Sequence, residues 1–374
     1  MDFNLSEEQA LLRDSAARYL RDKYPFDPRG GLRGWAEPSG DKADWQVLAE
    51  LGWLGLSVPQ AQGGYGLGFV EDALVLEEFG RALAPAPFLG SAVLCTPLLR
   101  NAAASLHQQA LVQGLVQGST RFALAHLEPE VAGCATRARC LADGWELQGR
   151  KLLALAAPQA DVLLITASDP DAAGATSLFA VPATVPGVHM RPYRLVDGQW
   201  AADVVLESVR IGAQECLAGP LQASALLEEA LDHACLGAVA EMLGCMEAVL
   251  EISAQHLKTR VQFGKPLGAF QALQHRMAEM FLEVQETRSI LYHGLSGLSL
   301  SAHERKRRAS AAKAYAGSAA RFVGQQGIQM HGGLGVTEEV AVGHYYRHIV
   351  ALERLFGDSA AHVARFAAGY EEAA

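Results

Sequence analysis

Apolar positions recur every three or four residues in the first third of the chain. They give way to short β-rich runs in the middle, then return to helical spacing until the end. The first segment, 1–118, opens with Ser6 and Gln9 placed as a capping box before an apolar stripe through Leu12, Ala16, Tyr19 and Leu20. A loop rich in Pro and Gly follows from Tyr24 to Gly40. Next, "WQVLAELGWLGLSVPQAQGGYGLGFVEDALVLEEFGRAL" predicts two amphipathic helices flanking a turn from Pro59 to Gly68, where the density of glycine opposes a helix. In the second segment, 119–218, "TRFALAHL", "GWELQGRKLLALA", "ADVLLITAS", "TSLFAVPA", "GVHMRPY" and "AADVVLESVRI" read as strands punctuated by Asp-Gly, Pro and Gly, the signature of a small sandwich or barrel. The third segment, 219–374, carries helical spacing over more than ten turns up to Arg260. A second helix there places Phe270, Leu273, Met277, Met280, Val284 and Leu291 on one face. The expected fold is mostly α with a central β-domain: a helical domain, a β-sandwich or barrel, and a C-terminal four-helix bundle.

Composition narrows the function. With 374 residues, half of them hydrophobic, and a formal charge of −10, the chain has material for two or three packed units. It lacks the basic surface of a nucleic-acid binder. The cluster "ERKRR", Glu304 to Arg308, reads as a solvated helix start. The first twenty residues have neither the basic nor the apolar region of a secretory leader. No apolar run reaches the roughly 18 residues of a membrane span. The six cysteines show no CxxC and no metal-ligand rhythm. These features lead to the expectation of a cytoplasmic protein with reduced thiols, no metal and no membrane partner.

Two polar, glycine-punctuated stretches stand apart from packing. In "RVQFGKPLGAFQ", Arg260 offers a planar cationic fork suited to a diphosphate, Gln262 a donor, Phe263 a face for an adenine, and Gly264 room for close backbone approach. In "IQMHGGLGVTEE", Gly332 and Gly333 can present bare backbone N–H groups. Taken singly, the first also reads as a helix–turn–helix with an exposed Arg, and the second as a helix end and turn.

Together these stretches resemble the acyl-CoA dehydrogenase family, and the resemblance runs over nearly the whole chain. "LAELGWLGLSVPQAQGGYGLG" and "LEEFGRAL" resemble its N-terminal domain, and "GWELQGRKLLALAAPQADVLLITA" its middle domain. "TRVQFGKPLGAFQALQHRMAEM" and "GIQMHGGLGVTEEVAVGHYYRH" resemble its C-terminal domain. The resemblance implies FAD-dependent α,β-dehydrogenation of an acyl-CoA thioester, with an electron-transfer flavoprotein as acceptor. A carboxylate removes the α-proton while the flavin takes the β-hydride. It also implies a dimer or tetramer in which Arg260, Gln262, Phe263, Phe270, Gln271, Gln329, Gly332 and Gly333 hold the adenine and diphosphate end of a neighbour's FAD.

The family pattern breaks where chemistry is expected. Its commonest base, a Glu before a Gly, falls on Phe356, and an alternative base position falls on Ala234. The ring-packing Trp-x-Thr reads Leu153-Ala154-Leu155. The Thr-Glu-Pro-x-Ala-Gly-Ser loop keeps Glu128, Pro129 and Gly133 but ends in Cys134. One reading is a half-site subunit of a heteromer, in which a related dehydrogenase subunit supplies the base and ring pocket. The resemblance associates such heteromers with bulky or sterol-type acyl chains. A second is a self-sufficient dehydrogenase with a displaced base. Glu241, in an apolar helical run two turns beyond Ala234, is its candidate; a structural Glu bonded to a neighbouring helix is the alternative. Asp358 is expected to cap a helix with Ser359. A flavin-dependent monooxygenase of the same fold would need no base, and a scaffold without FAD would not keep Arg260, Gln271, Gln329 and the glycine pair. His331 and His344 are expected to be hydrogen-bonded structural groups.

Overall fold

The computed structural model describes residues 4–26, 42–101, 105–129, 135–168 and 175–371, so most of the Tyr24–Gly40 loop, together with Gly133 and Cys134, lies outside it. Among these residues the helices are α1 (Glu7–Lys23), α2 (Lys42–Glu50), α3 (Phe69–Ala82), α4 (Thr96–Arg100), α5 (Leu106–Val116), α6 (Pro220–Thr259), α7 (Gln271–Leu295), α8 (Ala302–His331), α9 (Ala341–Arg354) and α10 (Ser359–Glu371). The strands are β1 (Phe122–Ala125), β2 (Arg137–Leu141), β3 (Gly144–Leu155), β4 (Val162–Ser168), β5 (Thr176–Pro182), β6 (Val188–Arg194), β7 (Trp200–Gly212), β8 (Cys216–Ala218), β9 (Val261–Gln262) and β10 (Lys265–Pro266). The residues form two compact units: one drawn from 1–34, 69–85 and 235–374, the other from 35–68 and 86–234.

In the helical unit, α1 starts as its sequence requires. Ser6 accepts from the Gln9 backbone N–H while the Gln9 side chain accepts from the Ser6 N–H, and Ala16 and Leu20 are fully buried. α3 and α6 cross in backbone contact. A Cβ on Gly80 would collide with the Glu241 carbonyl, and one on Gly244 with that of Glu77. The crossing is therefore available only to glycine. Beside it, Arg288 of α7 donates to both oxygens of Glu77, at 3.0 and 3.2 Å, and to Glu247. The expected face of α7 divides: Met280, Val284 and Leu291 are buried, but Phe270, Leu273 and Met277 are only half covered, and Phe281 and Leu282 are exposed. The "ERKRR" run is the helix start expected, in the first turns of α8, but it is not fully solvated. It is half-buried, Arg308 donates to Ser296 at 2.9 Å, and Arg307 lies over the Phe366 ring.

The second unit is built on a sheet with strand order β6-β7-β3-β2-β4-β5-β8, with β1 added parallel to β4. Its core is largely aliphatic, with Leu147, Leu163, Ile165, Val181 and Val204 fully buried around the ring of Phe179. Residues Phe88–Val93 form a π-helical turn, and Ser91 there accepts from the N–H of Phe122 at the start of β1. The wider i→i+5 turn is itself a common mark of functional sites.

Candidate active site

The loop that follows α9 is held firmly. Phe356 and Gly357 both adopt left-handed backbone, at φ 62° and 103°. Glycine adopts this freely, while a phenylalanine gives up roughly 1–2 kcal/mol to do so. Lys313 of α8, fully buried, donates to the carbonyls of Glu353 and Gly357, each at 2.8 Å. His362 Nε2 lies 3.0 Å from the Phe356 carbonyl. Burial, with the Lys313 charge adding to it, brings His362 down to about 4. The ring is therefore neutral near pH 7, and a hydrogen on Nε2 serves that carbonyl. Asp358 accepts from Ala361 N–H at 2.9 Å, the capping role expected of it, and Glu353 accepts from Ser359 N–H at 3.1 Å. The loop is thus shaped to present residue 356, and that residue is a half-buried phenyl that takes no proton. Ala234 is fully buried.

Sequence reasoning missed Lys313 and His362. Lys313 had a signal: it is the one cation in "ASAAKAYAGSAA", a small-residue run whose helical face must be covered. His362, six residues beyond Phe356 on the next helix, had none.

Glu241 lies inside the helical unit. Its Oε1 is 2.8 Å from His348 Nε2 on α9, and both side chains are buried. Its Oε2, also buried, has no partner among the described residues.

A separate face of the same unit carries the residues suited to an anion. Val261–Gln262 and Lys265–Pro266 pair as a minimal antiparallel hairpin, where the sequence suggested only a turn. At its tip Phe263 and Gly264 are both left-handed, φ 55° and 81°, and Phe263 is 88% exposed. Phe263 meets Phe270 edge to face, and Lys265 lies over the Phe270 ring at 4.2 Å. Arg260 is exposed and has no carboxylate partner among the described residues; Gln262, Gln271 and Gln329 are exposed as well. A Cβ on Gly264, Gly332 or Gly333 would meet nothing within 4 Å, so all three leave open room beside bare backbone. The rings of His256, near the end of α6, and His331, at the end of α8, meet with centroids 4.4 Å apart and planes tilted by 31°. His331 Nδ1 is 2.8 Å from the Gly327 carbonyl, and His344 Nε2 is 3.2 Å from that of Glu338, the structural roles expected of both.

The sheet unit differs. At Leu153-Ala154-Leu155 all three side chains are apolar. Leu155 is buried over Gly90, where a Cβ would come within 2.9 Å of it. The nearby polar groups are occupied with one another: Lys151, buried, donates to Glu128 at 2.5 Å and to Thr166 at 3.1 Å. An FAD therefore finds a fit in the open, cationic, glycine-lined face for its diphosphate and adenine. Residues 153–155 offer its ring system no side-chain donor.

Two family patterns match this chain: "Acyl-CoA dehydrogenase, N-terminal domain" over residues 6–119 and "Acyl-CoA dehydrogenase, C-terminal domain" over residues 224–370. Acyl-CoA dehydrogenase IpdE2 of Mycolicibacterium smegmatis is 27% identical, the alignment covering 94% of this chain and 96% of that protein. Among solved structures, a variant of the "Tcur3481-Tcur3483 steroid ACAD" is 30% identical with a TM-score of 0.84, covering 98% of both chains. The ChsE4-ChsE5 complex of Mycobacterium tuberculosis is 25% identical with a TM-score of 0.87, covering 100% of this chain and 99% of that one. The chain belongs to the acyl-CoA dehydrogenase family of flavoprotein oxidoreductases. No helix among the described residues is long and apolar enough to cross a membrane.

Proposed function

We propose that this chain is one subunit of a heteromeric, FAD-dependent acyl-CoA dehydrogenase. In this reading it completes the adenine and diphosphate end of a flavin site whose base and ring pocket come from a related subunit. The observation that carries the reading is the phenyl of Phe356 in a loop clamped by Lys313 and His362, in a chain that keeps the residues suited to an anion on a separate face of the same unit. Glu241 supports it from the other side, because its near oxygen is committed to His348.

When bound, FAD would accept the β-hydride of the acyl thioester. Arg260 and the N–H groups at Gly332 and Gly333 would hold its diphosphate, Phe263 would lie against its adenine, and Gln262, Phe270, Gln271 and Gln329 would complete that contact. The exposed Phe263, Phe281, Leu282 and Val336 supply apolar surface for subunits to cover, in keeping with a dimer or tetramer. Two similar structures bear paired names, Tcur3481-Tcur3483 and ChsE4-ChsE5, and the former is called a steroid ACAD. A bulky acyl-CoA is the corresponding substrate class here, and an electron-transfer flavoprotein the acceptor.

The test is the visible spectrum of the chain purified alone, then anaerobic titration with acyl-CoAs, then the same after co-expression with a Glu-bearing homologue. The expected result is no bleaching for the chain alone and bleaching for the pair. A yellow chain that one acyl-CoA bleaches without a partner would overturn the half-site reading.

A further inference from the structure

The paired rings of His256 and His331 lie where the ends of α6 and α8 meet, and the charges acting on His256 are one-sided. His256 stands one turn before Arg260, whose N–H still bonds to the His256 carbonyl at 2.9 Å, so the two side chains leave the helix on neighbouring paths. From α8, His331 covers one side of the His256 ring. The turn after α8 adds Gly332 and Gly333, which bring backbone and no charge. Because His331 Nδ1 faces the Gly327 carbonyl, which only accepts, Nδ1 carries a hydrogen and cannot offer His256 a lone pair. Half-burial first, then His331 and Arg260, hold His256 below the ordinary histidine range. No carboxylate acts on it from either element. An imidazole so placed, without a counter-charge among the described residues and beside an exposed arginine and open glycine backbone, is disposed towards an incoming anion.

From this geometry we infer that His256 is a further contact of the dinucleotide diphosphate and takes up a proton as that anion binds. The inference rests on the diphosphate reading of Arg260 and the glycine pair. It adds a residue to that site and a consequence: FAD binding is linked to proton uptake. A diphosphate is already fully ionised near neutrality, so the proton must come to the protein. The bound anion replaces repulsion from Arg260 with attraction and stabilises the imidazolium. Affinity for FAD then rises as pH falls through the histidine range, by up to about tenfold per pH unit, the limit for one linked proton. His331 is the positioning group: its bond to Gly327 fixes the ring against which His256 rests.

The experiment measures FAD affinity by quenching of flavin fluorescence in the full oligomer as purified, at pH 6, 7 and 8. Calorimetry in two buffers of different ionisation enthalpy counts the protons taken up. The native protein is expected to weaken several-fold from pH 6 to 8 with fractional proton uptake. His256→Gln should flatten the pH dependence and abolish the uptake, and His256→Lys should flatten it while keeping the tighter affinity. Arg260→Ala serves as the separate control on the site. If Arg260→Ala loses FAD while His256→Gln keeps the native pH profile, the role of His256 is overturned and the diphosphate reading stands. If Arg260→Ala leaves FAD affinity unchanged, the diphosphate reading falls and the inference with it.

Discussion

Glu241 and His348, 107 positions apart in sequence, meet at 2.8 Å inside the helical unit, each almost wholly removed from solvent. A buried carboxylate bound there to an imidazole also ties α6 to α9. Glu241→Gln retains a partner for His348 and should shift the urea midpoint little. Glu241→Ala removes the carboxylate bonded to that buried imidazole and leaves a gap in its place, and should cost about 2–4 kcal/mol. The same glutamine variant decides whether Glu241 is a displaced base. If the native chain alone is bleached by an acyl-CoA and a stably folded Glu241→Gln is not, the carboxylate is catalytic.

Lys313 is the support of the Phe356 loop. Lys313→Met keeps the length of the side chain but leaves the Glu353 and Gly357 carbonyls without their donor, and should destabilise the chain by roughly 2 kcal/mol or more. Amide hydrogen exchange should accelerate at residues 355–358 before it changes in α6. Unchanged protection there would remove the clamp from the account.

Two buried histidines, one beside this loop and one in the sheet unit, should make the protein acid-sensitive. An unfolded histidine titrates near 6.5, whereas His362 in place titrates at about 4, and His126 in the sheet unit is lowered equally, chiefly by burial and then by Lys151. Below the unfolded value, the unfolded chain binds protons that the folded one refuses. The stabilisation is therefore complete above about pH 6.5 and is lost progressively as pH falls towards 4, by an amount of order 1–3 kcal/mol per group. Melting temperature against pH should show this slope, and His362→Gln should reduce it. An equally steep slope in that variant would assign the acid sensitivity elsewhere.

Much of this architecture was legible because it is local. The Ser6–Gln9 capping box, the forty-residue α6 and the long strands of the sheet follow from spacing alone. β2 and β8 escaped notice, β2 because four of its five residues are exposed or partly exposed, β8 because three residues make no pattern. The β9–β10 hairpin was hidden for a related reason: its left-handed Phe263–Gly264 tip lacks the usual Asn-Gly of such turns. Within the candidate site, the phenyl at position 356, where the family resemblance expects a carboxylate, was readable from sequence, but the support around it was not. Lys313, His362 and the Glu241–His348 pair depend on contacts between helices distant in sequence, which no window of residues contains.

The α3–α6 crossing gives a sharper test of packing. A methyl group on Gly80 or Gly244 would occupy the space of a carbonyl oxygen on the opposite helix, and backbone cannot move aside as a side-chain tip can. Either Gly80→Ala or Gly244→Ala should therefore cost about 3 kcal/mol or more, although alanine is the better helix former by about 1 kcal/mol. Chemical denaturation of the two variants checks this, and a neutral or stabilised variant would refute the tight crossing.

Phe356→Glu separates the half-site reading from that of a chain lacking only a carboxylate at residue 356. The loop already holds residue 356 at φ 62° through bonds to backbone carbonyls, and glutamate is no more strained there than phenylalanine. The variant should therefore fold. If a base were all the chain lacked, acyl-CoA would then bleach bound flavin in the variant purified alone. The half-site reading predicts that it will not, since Leu153, Ala154 and Leu155 would still offer the ring no side-chain donor and Leu155 would still cover Gly90. Bleaching by the single variant would mean that the ring pocket is intact and that only the proton acceptor was lost. Its absence, with native stability and FAD affinity unchanged, would locate both the base and the ring pocket on a partner.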